Sequence, residues 1–171
     1  MLRRGEKRKV KQRANFKDVA YYMDCLSNYG TDSSISKQII RAALKTCEPI
    51  KTLSNIIYGR VYYKPDSNNH QTLRTIDALW RDRNGNCTDY SISISTLLRI
   101  LKVDHCFRFV TFDEHKRPQH VFIVLDNGTP IDLCLGQNQK GETPTTRKNN
   151  ICQFGQSAKY KYFKDLKIKT K

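Results

Sequence analysis

NGNCTDYSISISTLLRILKV, residues 84–103, decides how this chain folds. From Thr88 to Lys102 the apolar residues are Ile92, Ile94, Leu97, Leu98, Ile100 and Leu101, and small serines fill positions 91, 93 and 95. Serine lowers helix propensity, and YSISIS taken alone alternates as a half-buried strand does. The whole run is nevertheless too long for an ordinary strand, and it closes in Leu-Leu-Arg-Ile-Leu, a helical composition. A buried helix from about Thr88 to Lys102 is expected, entered through Asn84-Gly85-Asn86 with Cys87 at its mouth.

Upstream, Phe16, Val19, Ala20, Met23 and Leu26 lie on one helical stripe that Gly30 stops, which predicts a helix over Lys17–Tyr29. Ile35, Ile39, Ala42 and Ala43 predict a second over Ser34–Cys47, and Pro49 suits the first turn of a third that ends at Gly59. RVYY reads as a short extended piece, KPDSNNHQ as a polar loop, and TLRTIDALWRDRNGN as a short helix with Leu73, Ile76, Leu79 and Trp80 inward. Downstream, CFRFVTFD alternates and HVFIVLDNGTPIDLCL reads as a hairpin around Asp126-Asn127-Gly128. GQNQKGETPTTRKNN is a polar loop, and ICQFG a last short element. N-terminal helices followed by an antiparallel sheet make an α+β domain.

The formal charge of +15 on 171 residues looks like a nucleic-acid signature until it is divided along the chain. Residues 1–13 carry seven basic side chains and one acidic, a net of +6, and residues 159–171 carry six lysines and one aspartate, a net of +5. Only +4 is left for the body. The expected organisation is a basic arm (1–15), one domain (16–158) and a basic tail (159–171). Such arms are expected to be disordered and to bind an acidic protein surface or nucleic acid.

The first residues are charged, with no apolar targeting core, and no later run approaches the roughly 20 apolar residues of a membrane span. The protein is therefore expected in the cytoplasm of the producing cell, away from membranes. In that reducing compartment the six cysteines are expected as free thiols. None stands in a C-x-x-C pair and the four histidines show no ligand spacing, so no structural metal is expected.

A cysteine attacks as the thiolate, and with a free pKa of about 8.5 it needs help at neutral pH. Cys87, in the first turn of its helix, would meet unpaired backbone N–H groups and the positive end of the helix dipole, both favouring S⁻. The same N–H groups could hold an oxyanion. A base and a group to orient it are also needed. His120 opens the strand HVFIVL and Asp132 lies on the return strand, so the turn decides whether they meet. A two-residue Asn127-Gly128 turn places Asp132 opposite Ile123, on the face away from His120. A three-residue loop with Gly128 left-handed places Asp132 opposite Phe122, on the face of His120 and diagonal to it. The three-residue loop is the expected one. Alone, a cysteine at a helix start is usually a small buried hydrophobe and a strand histidine a polar neighbour; the conjunction of the three points to catalysis.

The stretch from Tyr63 to Val110, with HVFIVLDNGTPIDLC after it, resembles the transglutaminase-like cysteine-enzyme superfamily, particularly small phage-borne members. The likeness runs from about Phe16 to Gly155. In that family a G-[DN]-C-x-[DH] segment opens a helix, and a strand His and a strand Asp complete a papain-like triad. Carried over, these roles fall on Cys87, His120 and Asp132, with Asp89 capping or positioning the helix. Asn86 stands where Asp is common, and Lys102 where the helix often ends in Gly. The additional oxyanion donor is a polar or indole side chain upstream of the nucleophile, and Gln71 and Trp80 are both placed for it.

The resemblance implies acyl transfer from a carboxamide of a protein or peptide substrate, without cofactor or metal, to water (peptidase or amidase) or to an amine (cross-linking). The contrasting expectation is a structural or assembly protein of a virion, retaining the fold and attached to other virion proteins through the basic tails.

Overall fold

The computed structural model describes residues 7–11, 16–66, 70–114, 118–135, 137 and 152–170. Apart from Gln137, the polar loop expected over 136–150 lies outside the described residues, as do positions 1–6 and 12–15 of the expected basic arm.

The serine-rich run after Asn86 forms a helix, α5 (Cys87–Ile100), and every residue from Thr88 to Leu98 is buried. A helix buried all round must satisfy its polar side chains internally, and among the described residues only the Ser93 hydroxyl of α5 goes without a partner. Ser91 donates to the Cys87 carbonyl at 2.8 Å, Thr96 donates to that of Ile92 at 2.9 Å, and Ser95 Oγ lies 2.7 Å from His105 Nε2. Their small size also admits close neighbours: a Cβ on Gly30 would lie 2.9 Å from the Thr96 side chain. The alternation that imitated a strand is thus the packing of a central helix. It ends with Lys102 in the left-handed conformation (φ 55°), while Val103 N–H donates back to the Leu98 carbonyl at 2.9 Å. A lysine thereby takes the position that glycine usually fills.

Around α5 stand α1 (Phe16–Tyr29), α2 (Ser34–Ala43), α3 (Pro49–Arg60) and α4 (Ile76–Asp82). The second helix ends four residues before the expected Cys47, where its apolar stripe ends and Leu44 turns out to solvent. Ser33 and Thr75 cap α2 and α4 with their hydroxyls.

On the other side of α5 lies a four-stranded antiparallel sheet in the order β7-β6-β5-β8, with β5 at His105–Thr111, β6 at His120–Leu125, β7 at Pro130–Ile131 and β8 at Tyr162–Ile168. Phe107, Phe109, Val121, Ile123, Leu125, Ile131 and Ile168 share the helical core. Val110, Phe122 and Val124 form a smaller cluster with Cys106 and Tyr160. Two small ladders complete the α+β fold: β1 (Lys7–Lys11) antiparallel to β3 (His70–Arg74), and β2 (Tyr62–Tyr63) parallel to β4 (Asn84–Gly85). Among the described residues no helix is long and apolar enough to cross a membrane.

The expected basic arms need correction. Residues 7–11 are a strand, and 162–168 are the edge strand of the main sheet, so the boundaries at 15/16 and 158/159 do not separate appendages from a body. Their lysines and arginines are partly spent inside the fold. Lys7 pairs with Asp82 at 2.5 Å, Arg8 lies over the Tyr22 ring, Lys161 pairs with Glu114 and Lys169 with Asp104 and Asp126. Lysine is common on edge strands, where its charge discourages further strand pairing. That is why a basic strand resembles a solvated tail when only composition is read.

Candidate active site

The helix mouth is built by a capping box. The Asn86 side chain accepts from the N–H groups of Thr88 (3.0 Å) and Asp89 (3.3 Å), and the Asp89 carboxylate accepts from Asn86 N–H at 3.0 Å. The first N–H of the helix, that of Cys87, makes no hydrogen bond among the described residues. Gly85 is required here, since a Cβ on it would meet Leu79 Cδ1 at 2.5 Å and the Asp89 side chain at 2.9 Å.

Asp89 is fully buried and takes two more donors from Arg74, its backbone N–H at 2.8 Å and Nη1 at 2.6 Å. Burial pushes its carboxyl up to about 7, against the pull of Arg74 and of the two N–H groups. Arg74 also reaches Asp82 at 3.3 Å, which binds Lys7 of β1. Asp66 ties the remaining corner, accepting from Asn86 Nδ2 at 2.6 Å and from Thr72 N–H at 2.7 Å. Asp89 therefore fixes where α5 begins, the structural part expected of it.

On the facing sheet the hairpin adopts the three-residue loop. Ile123 pairs with Ile131 and Val124 with Pro130, and Gly128 is left-handed (φ 85°) with its N–H on the Leu125 carbonyl at 2.8 Å. That register brings His120 Nε2 to 2.9 Å from Asp132 Oδ2. Asp132 is 2% exposed and also accepts from Cys134 N–H at 3.1 Å and Ala158 N–H at 3.3 Å. With Nε2 on Asp132, Nδ1 is the ring nitrogen turned to other partners, and Cys87 is among the groups that act on the imidazole. Phe112 stacks on the imidazole at 6.2 Å and Phe122 lies tilted against it at 5.8 Å.

Burial alone would lower the His120 pKa, but the hydrogen bonds to Asp132 and Cys87, together with their charges, outweigh it and raise it to about 10. The unfolded chain releases this proton near 6.5, whereas the native protein keeps it. The stabilisation is therefore complete below about pH 6.5 and is lost as pH rises towards 10. Between pH 7 and 10 urea titrations should show wild type losing stability relative to His120→Ala; parallel curves would contradict the assignment.

A cleft of about 260 Å³ opens beside the pair, lined by Tyr63, Phe112, Gln119, His120, Asp132, Cys134, Leu135, Gln137 and Ala158. Burial, then the charges of Cys87 and Asp132, pushes the Cys134 thiol well above its ordinary range. Of the expected oxyanion donors, Gln71 lies beside the helix mouth with Nε2 3.4 Å from Thr88 Oγ1. Trp80 instead packs on the helical core, with the Arg60 guanidinium 5.0 Å above its ring.

Several contributors carry no local sequence signal. Ala158 offers only a backbone N–H. Gln137 gives Tyr63 N–H an acceptor at 2.7 Å, while its Nε2 donates to the Tyr90 hydroxyl at 3.0 Å and to the Leu133 carbonyl. Among the described residues no group of three or more His, Cys, Asp or Glu is placed to hold a metal ion. Comparison with known protein families, with curated proteins and with solved structures returns no match to this chain.

Proposed function

We propose that this chain is a transglutaminase-like cysteine acyl-transfer enzyme acting on a carboxamide through Cys87, His120 and Asp132. The observation that carries the reading is the His120–Asp132 hydrogen bond of 2.9 Å, with Cys87, at a helix N-terminus, among the groups that raise the His120 pKa. Nucleophile, base and orienting carboxylate stand in the order that acyl transfer uses.

In the first half-reaction Cys87 Sγ adds to the carboxamide carbon, and the oxygen takes the negative charge within reach of Cys87 N–H and the helix dipole. The C–N bond breaks, the His120 imidazolium gives its proton to the leaving amine, and a thioester remains on Cys87. Water or a second amine then adds to the thioester, His120 takes the proton of that nucleophile, and the thiolate leaves. Asp132 holds the ring in place throughout and offsets its charge; Phe112 and Phe122 shield it from water. Hydrolysis is the favoured outcome, because water needs no second binding site.

p-Nitrophenyl acetate tests the reading without knowledge of the natural substrate. Wild type should release p-nitrophenol and carry one acetyl group, located on Cys87 by mass spectrometry, and Cys87→Ser should not. Acetylation spread over the cysteines at similar rates would exclude it.

A further inference from the structure

The oxyanion needs more than Cys87 N–H. The neighbouring N–H groups of Thr88 and Asp89 are taken by the Asn86 side chain, Gln71 points its amide at Thr88, and Trp80 lies under Arg60. Among the described residues, the Tyr63 hydroxyl lines the cleft and donates no hydrogen bond.

Tyr63 lies on β2, whose parallel pairing sets it against Gly85, two residues before the nucleophile. Its neighbour Lys64 donates to the Gly85 carbonyl at 2.9 Å, and its own N–H is held by Gln137 at 2.7 Å. Gln137 is in turn anchored on Leu133, next to Asp132. The backbone of Tyr63 is thus fixed both to the strand that delivers Cys87 and to the turn that follows Asp132. Its side chain lines the cleft with His120 and Asp132, and among the described residues no hydrogen bond occupies its hydroxyl. Burial pushes the Tyr63 phenol far up, and the charges of Cys87, Cys134, Asp66 and Asp132 add to the rise. The hydroxyl therefore keeps its proton at any working pH, as a donor must.

We propose that the Tyr63 hydroxyl is a catalytic hydrogen-bond donor which, together with Cys87 N–H, holds the substrate carbonyl oxygen as it becomes an oxyanion. The assignment rests on the acyl-transfer reading above and adds the residue that would stabilise its charged intermediate. The bond is donated from Oη to the developing O⁻, and no proton is transferred.

Two reagents acting on the same sulfur of the full chain separate this role from others. Iodoacetamide is attacked at a saturated carbon and forms no oxyanion; p-nitrophenyl acetate is attacked at a carbonyl and does. In Tyr63→Phe, which keeps the ring and its packing, alkylation of Cys87 should stay within about twofold of wild type while acetylation falls roughly 10²-fold, the cost of one oxyanion donor. The deficit should be constant from pH 6 to 9, because the phenol does not ionise there. Acetylation at the wild-type rate overturns the proposal, and an equal fall in both reactions also overturns it by assigning Tyr63 to positioning Cys87. If wild-type Cys87 reacts with both reagents as an ordinary thiol does, the acyl-transfer reading fails first and Tyr63 has no oxyanion to hold.

Discussion

Asp89→Ala should destabilise the protein by about 3–5 kcal/mol, the range seen when one partner of a buried ion pair is removed. Three donors converge on this carboxylate: Asn86 N–H, Arg74 N–H and Arg74 Nη1. The Arg74 side chain is itself only 12% exposed, so truncation leaves a guanidinium without its closest counter-charge and two N–H groups without an acceptor. The damage falls on the first turn of α5 and on the β1–β3 ladder together, because Arg74 also holds Asp82 and through it Lys7. In a domain of this size the loss corresponds to a melting point lower by roughly 10 °C. Urea denaturation of both proteins at pH 8, above the raised Asp89 pKa of about 7, measures it. A loss below about 1 kcal/mol, typical of an exposed pair, would mean that Arg74 finds another partner.

Asp132→Asn should lower the rate of Cys87 acetylation by roughly 10³- to 10⁴-fold, the scale of losing the orienting carboxylate of a triad. Asp132 spends one oxygen on Cys134 N–H and the other on Ala158 N–H and His120 Nε2, and all three partners donate. An asparagine amide has one acceptor and one donor group, so at least one of these partners would face an N–H. His120 would lose the interaction that fixes its ring and would also lose the nearby negative charge that favours its imidazolium. Folding should be affected less than catalysis, since the shape of the side chain is retained. Acetylation within tenfold of wild type would show that His120 is held without Asp132.

The most legible parts were those where one sequence feature decides between discrete structures. The Asp126-Asn127-Gly128 loop fixed the hairpin parity, and with it the face shared by His120 and Asp132. The length and leucine-rich end of the run after Cys87 gave α5, despite serines that mimic a strand. The strands β1 and β3 were hidden because KRKVK and HQTLR do not alternate in polarity; their order comes from pairing with each other and from Lys7 and Arg74 meeting Asp82. The edge strand β8 was hidden by its lysines, although Leu166 and Ile168 on alternate positions reach the core. The partners of Asp132 and Asp89 were illegible for another reason. Ala158 contributes a backbone group, and Arg74 stands fifteen positions before Asp89 in what reads as a loop-to-helix junction. Tyr63 gave no signal apart from its neighbour Tyr62, since its place in the cleft depends on Gln137 and Gly85.

The most direct measurement is the rate of Cys87 alkylation by iodoacetamide from pH 4 to 9, resolved by site with mass spectrometry, in wild type and in His120→Ala. A thiolate held beside an imidazolium should make Cys87 the fastest-reacting of the six cysteines well below pH 8, with that advantage lost in His120→Ala. If Cys87 reacts only as an ordinary thiol does, or reacts equally fast without His120, the two side chains do not form a catalytic pair and the acyl-transfer reading is wrong.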